Sequence, residues 1–120
     1  MKKVAFVHEM KLDKRNFELM EQGVKTIELR LLDEKRRLLQ LGDRITFKLF
    51  PTLDHSCTME VIGLLHYPDF ASMIGDIDVS WLGYGEEKRE WLKTSMSQVY
   101  TEEEQRELTA LGIRLRKVSK

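Results

Sequence analysis

The chain has 120 residues and a mass of 14.2 kDa, which sets the expectation of one domain, residues 1–120, with one core. Its content is 42% hydrophobic and 33% charged, with two prolines and seven glycines, which argues against a disordered or collagenous chain. Twenty Lys and Arg offset twenty Asp and Glu, so no strongly basic footprint marks the chain as a nucleic-acid binder. The balance is uneven along the sequence. Residues 1–50 hold twelve basic and eight acidic side chains, and residues 51–120 hold eight and twelve. The mild basic bias of the first half favours an anionic partner, set against the plain reading of an ordinary solvated surface. No apolar run approaches the ~18–20 residues that span a bilayer. The basic opening is followed by an apolar stretch too short for a signal peptide. Cys57, the single cysteine, excludes an internal disulfide and any zinc site with two or more thiolates. The expectation is a cytoplasmic protein with no membrane association.

In chain order, residues 3–12 read as a strand around Val4, Ala5, Phe6 and Val7. Asp13 then caps a helix over 14–22. Phe17, Met20 and Val24 follow the i, i+3, i+7 spacing of a core-facing stripe, and Gly23 takes the left-handed position after the helix. Residues 26–31 switch to period two: Ile27, Leu29 and Leu31 share one face, Thr26, Glu28 and Arg30 the other. A charged connector over 33–37 holds one helical turn, and Gly42-Asp43 is a turn signal. Strands over 44–50, ended by Pro51, and from Cys57 to about residue 65 form a hairpin. A short helix over 69–74 is capped by Asp69, and Leu92, Met96 and Val99 mark a helix near 87–98. Thr101 and Glu104 form a capping box for a further helix that Gly112 stops, and a last strand covers 113–118. Strands that are mostly antiparallel, with helices at the ends, imply an α+β domain or a small, partly open barrel.

Most motifs with a defined chemistry are absent, including the phosphate-binding and dinucleotide glycine loops, His-Glu-x-x-His and the Gly-x-Ser-x-Gly nucleophile turn. His8, His55 and His66 are scattered, so no metal or cofactor is expected. What stands out is the run from Gly23 to Arg30, where a helix ends and a strand begins. It sets Lys25, Thr26, Glu28 and Arg30 within six positions. Such junctions place side chains at the mouth of a sheet. Glu28 and Arg30, two apart, point the same way, while Lys25 lies in the turn, outside the alternation. A carboxylate between two cations stays ionised, and a desolvated lysine beside an arginine gains the character of a base or nucleophile. The plain alternative is a solvent-exposed salt-bridge ladder.

The pattern Gly23-x-Lys25-x-x-Glu28-x-Arg30 resembles the motif of the ASCH domain family, part of the wider group of PUA-like folds. The likeness extends on both sides, from His8-Glu9-Met10-Lys11-Leu12 through Leu31-x-Asp33-Glu34-Lys35-Arg36 and Gly42-Asp43-x-Ile45-x-Phe47. It continues in Val61-x-Gly63-Leu64, Tyr67-x-x-Phe70, Leu82-Gly83-Tyr84, Tyr100-x-x-Glu103-Glu104 and Gly112-Ile113. The resemblance implies a PUA-like, mostly antiparallel β-barrel with flanking helices and a cleft beside the motif. It also implies RNA, nucleotide or nucleoside binding. In that reading Lys25 and Arg30 meet phosphate or a base edge, and Glu28 accepts from an amino group. Lys11 adds a backbone contact, Tyr67 stacks on a base, and His8 and Glu9 stand near the motif, the imidazole as donor or proton shuttle.

Two other functions stand beside binding. Some small ASCH-like proteins are amidohydrolases that remove the acetyl group from N4-acetylcytidine, using a lysine, a threonine three residues later and a distal glutamate. Lys25 matches the lysine, but Glu28 stands at the threonine position. Thr26 is on the wrong step, and Glu86 or Glu87 lies in the region of the glutamate. As an enzyme, the chain would use Lys25 and Glu28 as its catalytic pair, with the carboxylate as base. The third reading is a non-catalytic protein-interaction module using Trp81, Tyr84 and Trp91, weighed against those rings being core. No sequence feature sets the oligomeric state.

Overall fold

The computed structural model describes residues 7–118. Its five strands are β1 (Val7–Leu12), β2 (Ile27–Leu31), β3 (Arg44–Leu49), β4 (Ser56–Tyr67) and β5 (Ala110–Lys117). Four helices complete the regular structure: α1 (Lys14–Glu21), α2 (Phe70–Asp76), α3 (Arg89–Val99) and α4 (Glu102–Leu108). The strands form one curled sheet in the order β1-β3-β4-β5-β2. β1 runs parallel to β3, and the other three pairings are antiparallel. The expected α+β, mostly antiparallel PUA-like barrel is therefore a half-barrel with helices on its flanks. β1 and β2 are its two edges. No helix among the described residues is long and apolar enough to cross a membrane.

Period-two alternation makes the sheet two-sided. Leu111, Ile113 and Leu115 of β5 turn into a core with Met10, Ile45, Phe47, Met59 and Val61 that α1 covers through Phe17 and Met20. Ile27, Leu29 and Leu31 of β2 pack in a second core with Phe70, Met73 and Ile74 of α2 and Leu92 of α3. β2 thus buries apolar residues on one face while Glu28 and Arg30 share the other, as their spacing predicts.

Local chemistry explains most boundaries. Asp13 and Asp69 accept from Asn16 N and Ser72 N, capping α1 and α2. Thr101 and Glu104 make the reciprocal capping box of α4. The charged connector over 33–37, expected to hold one helical turn, gives way to a 3-10 turn over Arg36–Leu38.

The expected strand start at residues 3–6 lies outside the described residues. Several other expectations need correction. Val24 is exposed rather than core, because α1 has already ended and Gly23, at φ 80°, turns the chain away from the helix stripe. Phe50 likewise falls outside β3 and is exposed. β4 runs on past residue 65 to Tyr67, bending at an irregularity between Val61 and Gly63. The helix near 87–98 is a 3-10 turn, Glu86–Lys88, followed by α3. Val79–Leu82 forms a further 3-10 turn that the sequence pattern did not disclose.

Gly112 does not stop α4. The helix ends at Leu108, Thr109 takes the positive φ of 66°, and Gly112 sits inside β5 opposite Leu29. Its role is close approach: a Cβ there would lie 2.8 Å from Met73 Sδ and 3.2 Å from Ile27 Cδ1. Both neighbours are fully buried. Gly112→Val is expected to destabilise the fold by about 1–3 kcal/mol through overpacking. Equilibrium urea unfolding measures this, and an unchanged midpoint would contradict the close approach.

Candidate functional site

The turn from α1 into β2 aims Lys25 inward. Val24 N and Lys25 N both donate to Leu19 O, at 2.9 and 3.0 Å, and Thr26 N donates to Trp81 O at 2.8 Å. This pinning precedes the first residue of β2, so Lys25 escapes strand parity and joins Glu28. Lys25 Nζ lies 3.3 Å from Glu28 Oε1, and Arg30 Nε donates to Glu28 Oε2 at 2.6 Å. Lys25 is 4% and Glu28 6% exposed. The exposed-ladder alternative is therefore overturned, because Lys25 and Glu28 are buried in a space lined by residues of β1, β2 and α3.

Arg30 reaches further. Its Nη2 donates to Lys11 O at 2.8 Å, so a side chain spans the gap between the two sheet edges. The triad lies in a cavity of about 320 Å³ that opens between β1, β2 and α3. Lys11, Lys25, Glu28 and Arg30 all line it. Its apolar walls come from Leu12, Leu29, Ile74, Leu82 and Leu92, and Ser95 and Met96 of α3 complete that side.

Three aromatic rings border the same space, and sequence reasoning singled out only two of them. Tyr84 and Trp91 pack at 5.8 Å between centroids. Arg15 lies over Tyr84 and donates to its hydroxyl at 3.1 Å, while Lys88 lies over Trp91. Trp91 is 52% exposed and marks the rim. Tyr100, quoted in the sequence only as part of a longer likeness, stacks on buried Phe70 at 5.1 Å. Gln105 holds that pair in place, accepting from Phe70 N and donating to Tyr100 O. A ring placed by long-range packing leaves no local spacing to find. Trp81 instead stands outside the cavity lining, with the Arg114 guanidinium 3.6 Å from its ring centre.

The remaining expected site residues lie elsewhere. His8 Nε2 is 2.9 Å from Asp43 Oδ2, which also accepts from Gln40 N. Glu9 is exposed and pairs with Lys48 at 2.9 Å, which lowers its pKa. Tyr67 donates to Asp76 Oδ2 at 2.5 Å at the end of β4. None of the three lines the cavity, nor does Thr26, Glu86 or Glu87. Glu86 is engaged by Arg89. Among the described residues no group of three or more His, Cys, Asp or Glu could hold a metal ion.

No protein-family model and no curated protein matches this chain. Solved structures do. The crystal structure of hypothetical protein PH0355 has 28% identity and a TM-score of 0.81, covering 94% of this chain and all of that one. The solution structure of protein PF0455 from Pyrococcus furiosus has 25% identity and a TM-score of 0.73, covering 96% and 100%. The crystal structure of ASCH from Zymomonas mobilis has 13% identity and a TM-score of 0.64, covering 92% of this chain and 67% of that one. This chain therefore has an ASCH-like fold.

Two outcomes follow from the geometry. Glu28→Gln leaves two cations facing a neutral amide in a buried place. It is expected to cost about 3 kcal/mol in chemical denaturation at neutral pH, and a loss within error of zero would contradict the buried triad. Burial also pushes the Tyr100 phenol above its ordinary value of 10.0. A raised folded-state pKa contributes stability that is complete below pH ~10 and is lost as pH rises through the folded value. Tyr100→Phe is expected to flatten the alkaline fall in stability, read by urea midpoints between about pH 9 and 11.

Proposed function

We propose that this protein binds RNA, a nucleotide or a nucleoside in the cleft centred on Lys25, Glu28 and Arg30. One observation carries the reading: a charged triad is buried in a cavity bordered by Tyr84, Trp91 and Tyr100. Flat aromatic rings beside hydrogen-bonding charge suit a heterocyclic base, and stacking contributes about 1–3 kcal/mol per base. The resemblance to ASCH and other PUA-like domains adds to it, because it implies RNA-related ligands. Lys11 stands at the mouth as an exposed cation, its ammonium 5.9 Å from the Phe50 ring centre. The aromatic role first expected of Tyr67 passes to the rings that line the cleft.

Binding is favoured over hydrolysis of an acetylated nucleoside. Glu28 stands where a threonine nucleophile is required, and each of its oxygens is already engaged by a cation. Trp91, the exposed aromatic of the protein-interaction reading, belongs to the rim of this cleft and needs no separate partner to account for it.

The test is a titration of isotopically labelled protein with nucleosides, nucleotides and short single-stranded RNAs, followed by backbone amide shifts. Shifts are expected at residues 25–30 and in α3. Lys25→Ala is expected to weaken binding at least about tenfold, the loss of one charged hydrogen bond. Wild-type affinity in a Lys25→Ala, Arg30→Ala double variant would remove the cleft from the reading.

A further inference from the structure

Each polar atom of the triad has commitments, and these limit what a ligand can offer it. Glu28 is its only acceptor, and its two oxygens face Lys25 and Arg30 respectively. Arg30 spends Nε on Glu28 and Nη2 on Lys11 O, which leaves Nη1. Lys25 Nζ contacts Glu28 Oε1 at 3.3 Å, one neighbour for three N–H groups. The groups left over are therefore donors. Two cations against one carboxylate also leave one positive charge in excess, in a place where Lys25 is 4% exposed. A low-dielectric site with spare donors and surplus positive charge is matched by an anionic oxygen rather than an amino group. Asp13, the other carboxylate lining the cavity, is occupied as the cap of α1, accepting from Asn16 N and Nδ2.

Resting on the nucleotide-binding reading, we infer that Lys25 and Arg30 form an oxyanion floor that takes the terminal phosphate of the ligand. The base then lies toward the rings of Tyr84, Trp91 and Tyr100. A terminal phosphate suits the space better than an internal one, because a cavity of about 320 Å³ offers room for one end of a strand or a free mononucleotide. Glu28 is a positioning residue in this arrangement. It holds both cations and reads no amino group.

The test compares uridine and adenosine with their 5′-monophosphates by isothermal titration calorimetry, with inorganic phosphate as competitor. The monophosphates are expected to bind at least about tenfold more tightly than the nucleosides. Inorganic phosphate is expected to displace them, and the advantage is expected to shrink as salt rises. Lys25→Met, checked for fold by its amide spectrum, is expected to bind nucleoside and monophosphate alike. A tetranucleotide with a 5′-phosphate, set against its 5′-hydroxyl form, separates a strand end from a free nucleotide as the source of the phosphate. Equal affinity of the wild type for nucleosides and monophosphates would overturn the oxyanion floor and leave the binding reading standing. No binding by any nucleoside, nucleotide or tetranucleotide would overturn both. The wild-type comparison decides the matter even if Lys25→Met does not fold.

Discussion

The sheet does not close on itself by main-chain pairing between β1 and β2; what joins those edges is a side chain. Arg30 holds Glu28 with one nitrogen and the β1 carbonyl of Lys11 with another, so the seam of the half-barrel and the floor of the cleft are one structure. An unpaired strand edge is ordinarily a liability, and here a charge network occupies it. Because β2 is an edge, its two faces both reach the opening. Leu29 supplies apolar wall, and Glu28 and Arg30 supply charge. A central strand would have hidden one of the two.

The cleft depends in turn on the second core. Phe70, Met73 and Ile74 press α2 against β2, and Leu92 brings α3 to the same place. Arg89 ties the start of α3 to the end of α2 by donating to Ile77 O at 2.9 Å. Lys25 reaches the cavity because Leu19 O and Trp81 O fix the backbone around it. Packing holds the scaffold, and a few directional bonds set the angles at which charge enters it. That division is what a preorganised binding site requires.

The elements legible in the sequence were those with a short-range signature. Asp13, Asp69 and Thr101 announce their helices through caps, and Ile27, Leu29 and Leu31 announce a strand by alternation. The center of the site was legible for the same reason, since Lys25, Glu28 and Arg30 fall within six residues. The readings that failed depended on tertiary placement. Gly112 looks like a helix stop until Met73 and Ile27 are seen against it. Tyr100 carries no local mark, because Phe70 and Gln105, thirty residues before and five after, orient it. Tyr67 stands away from the cleft, at the end of β4, where its hydroxyl is held by Asp76.

The parallel pairing of β1 with β3 bears on how the molecule assembles. The β3–β4 hairpin needs only the short loop between Lys48 and Ser56 to close, so its entropic cost is small. β1 must instead find a partner beginning at Arg44, which pairs with Val7, and β2 must wait for Arg114 to meet Ile27. Contacts that close longer loops are entropically dearer and tend to follow local ones. By that measure β2, which pairs with β5 across the widest separation in the sequence, is the strand recruited last to a hairpin-centred nucleus. The cleft is therefore completed only with the last strand, and a chain that stalls earlier has a sheet without it.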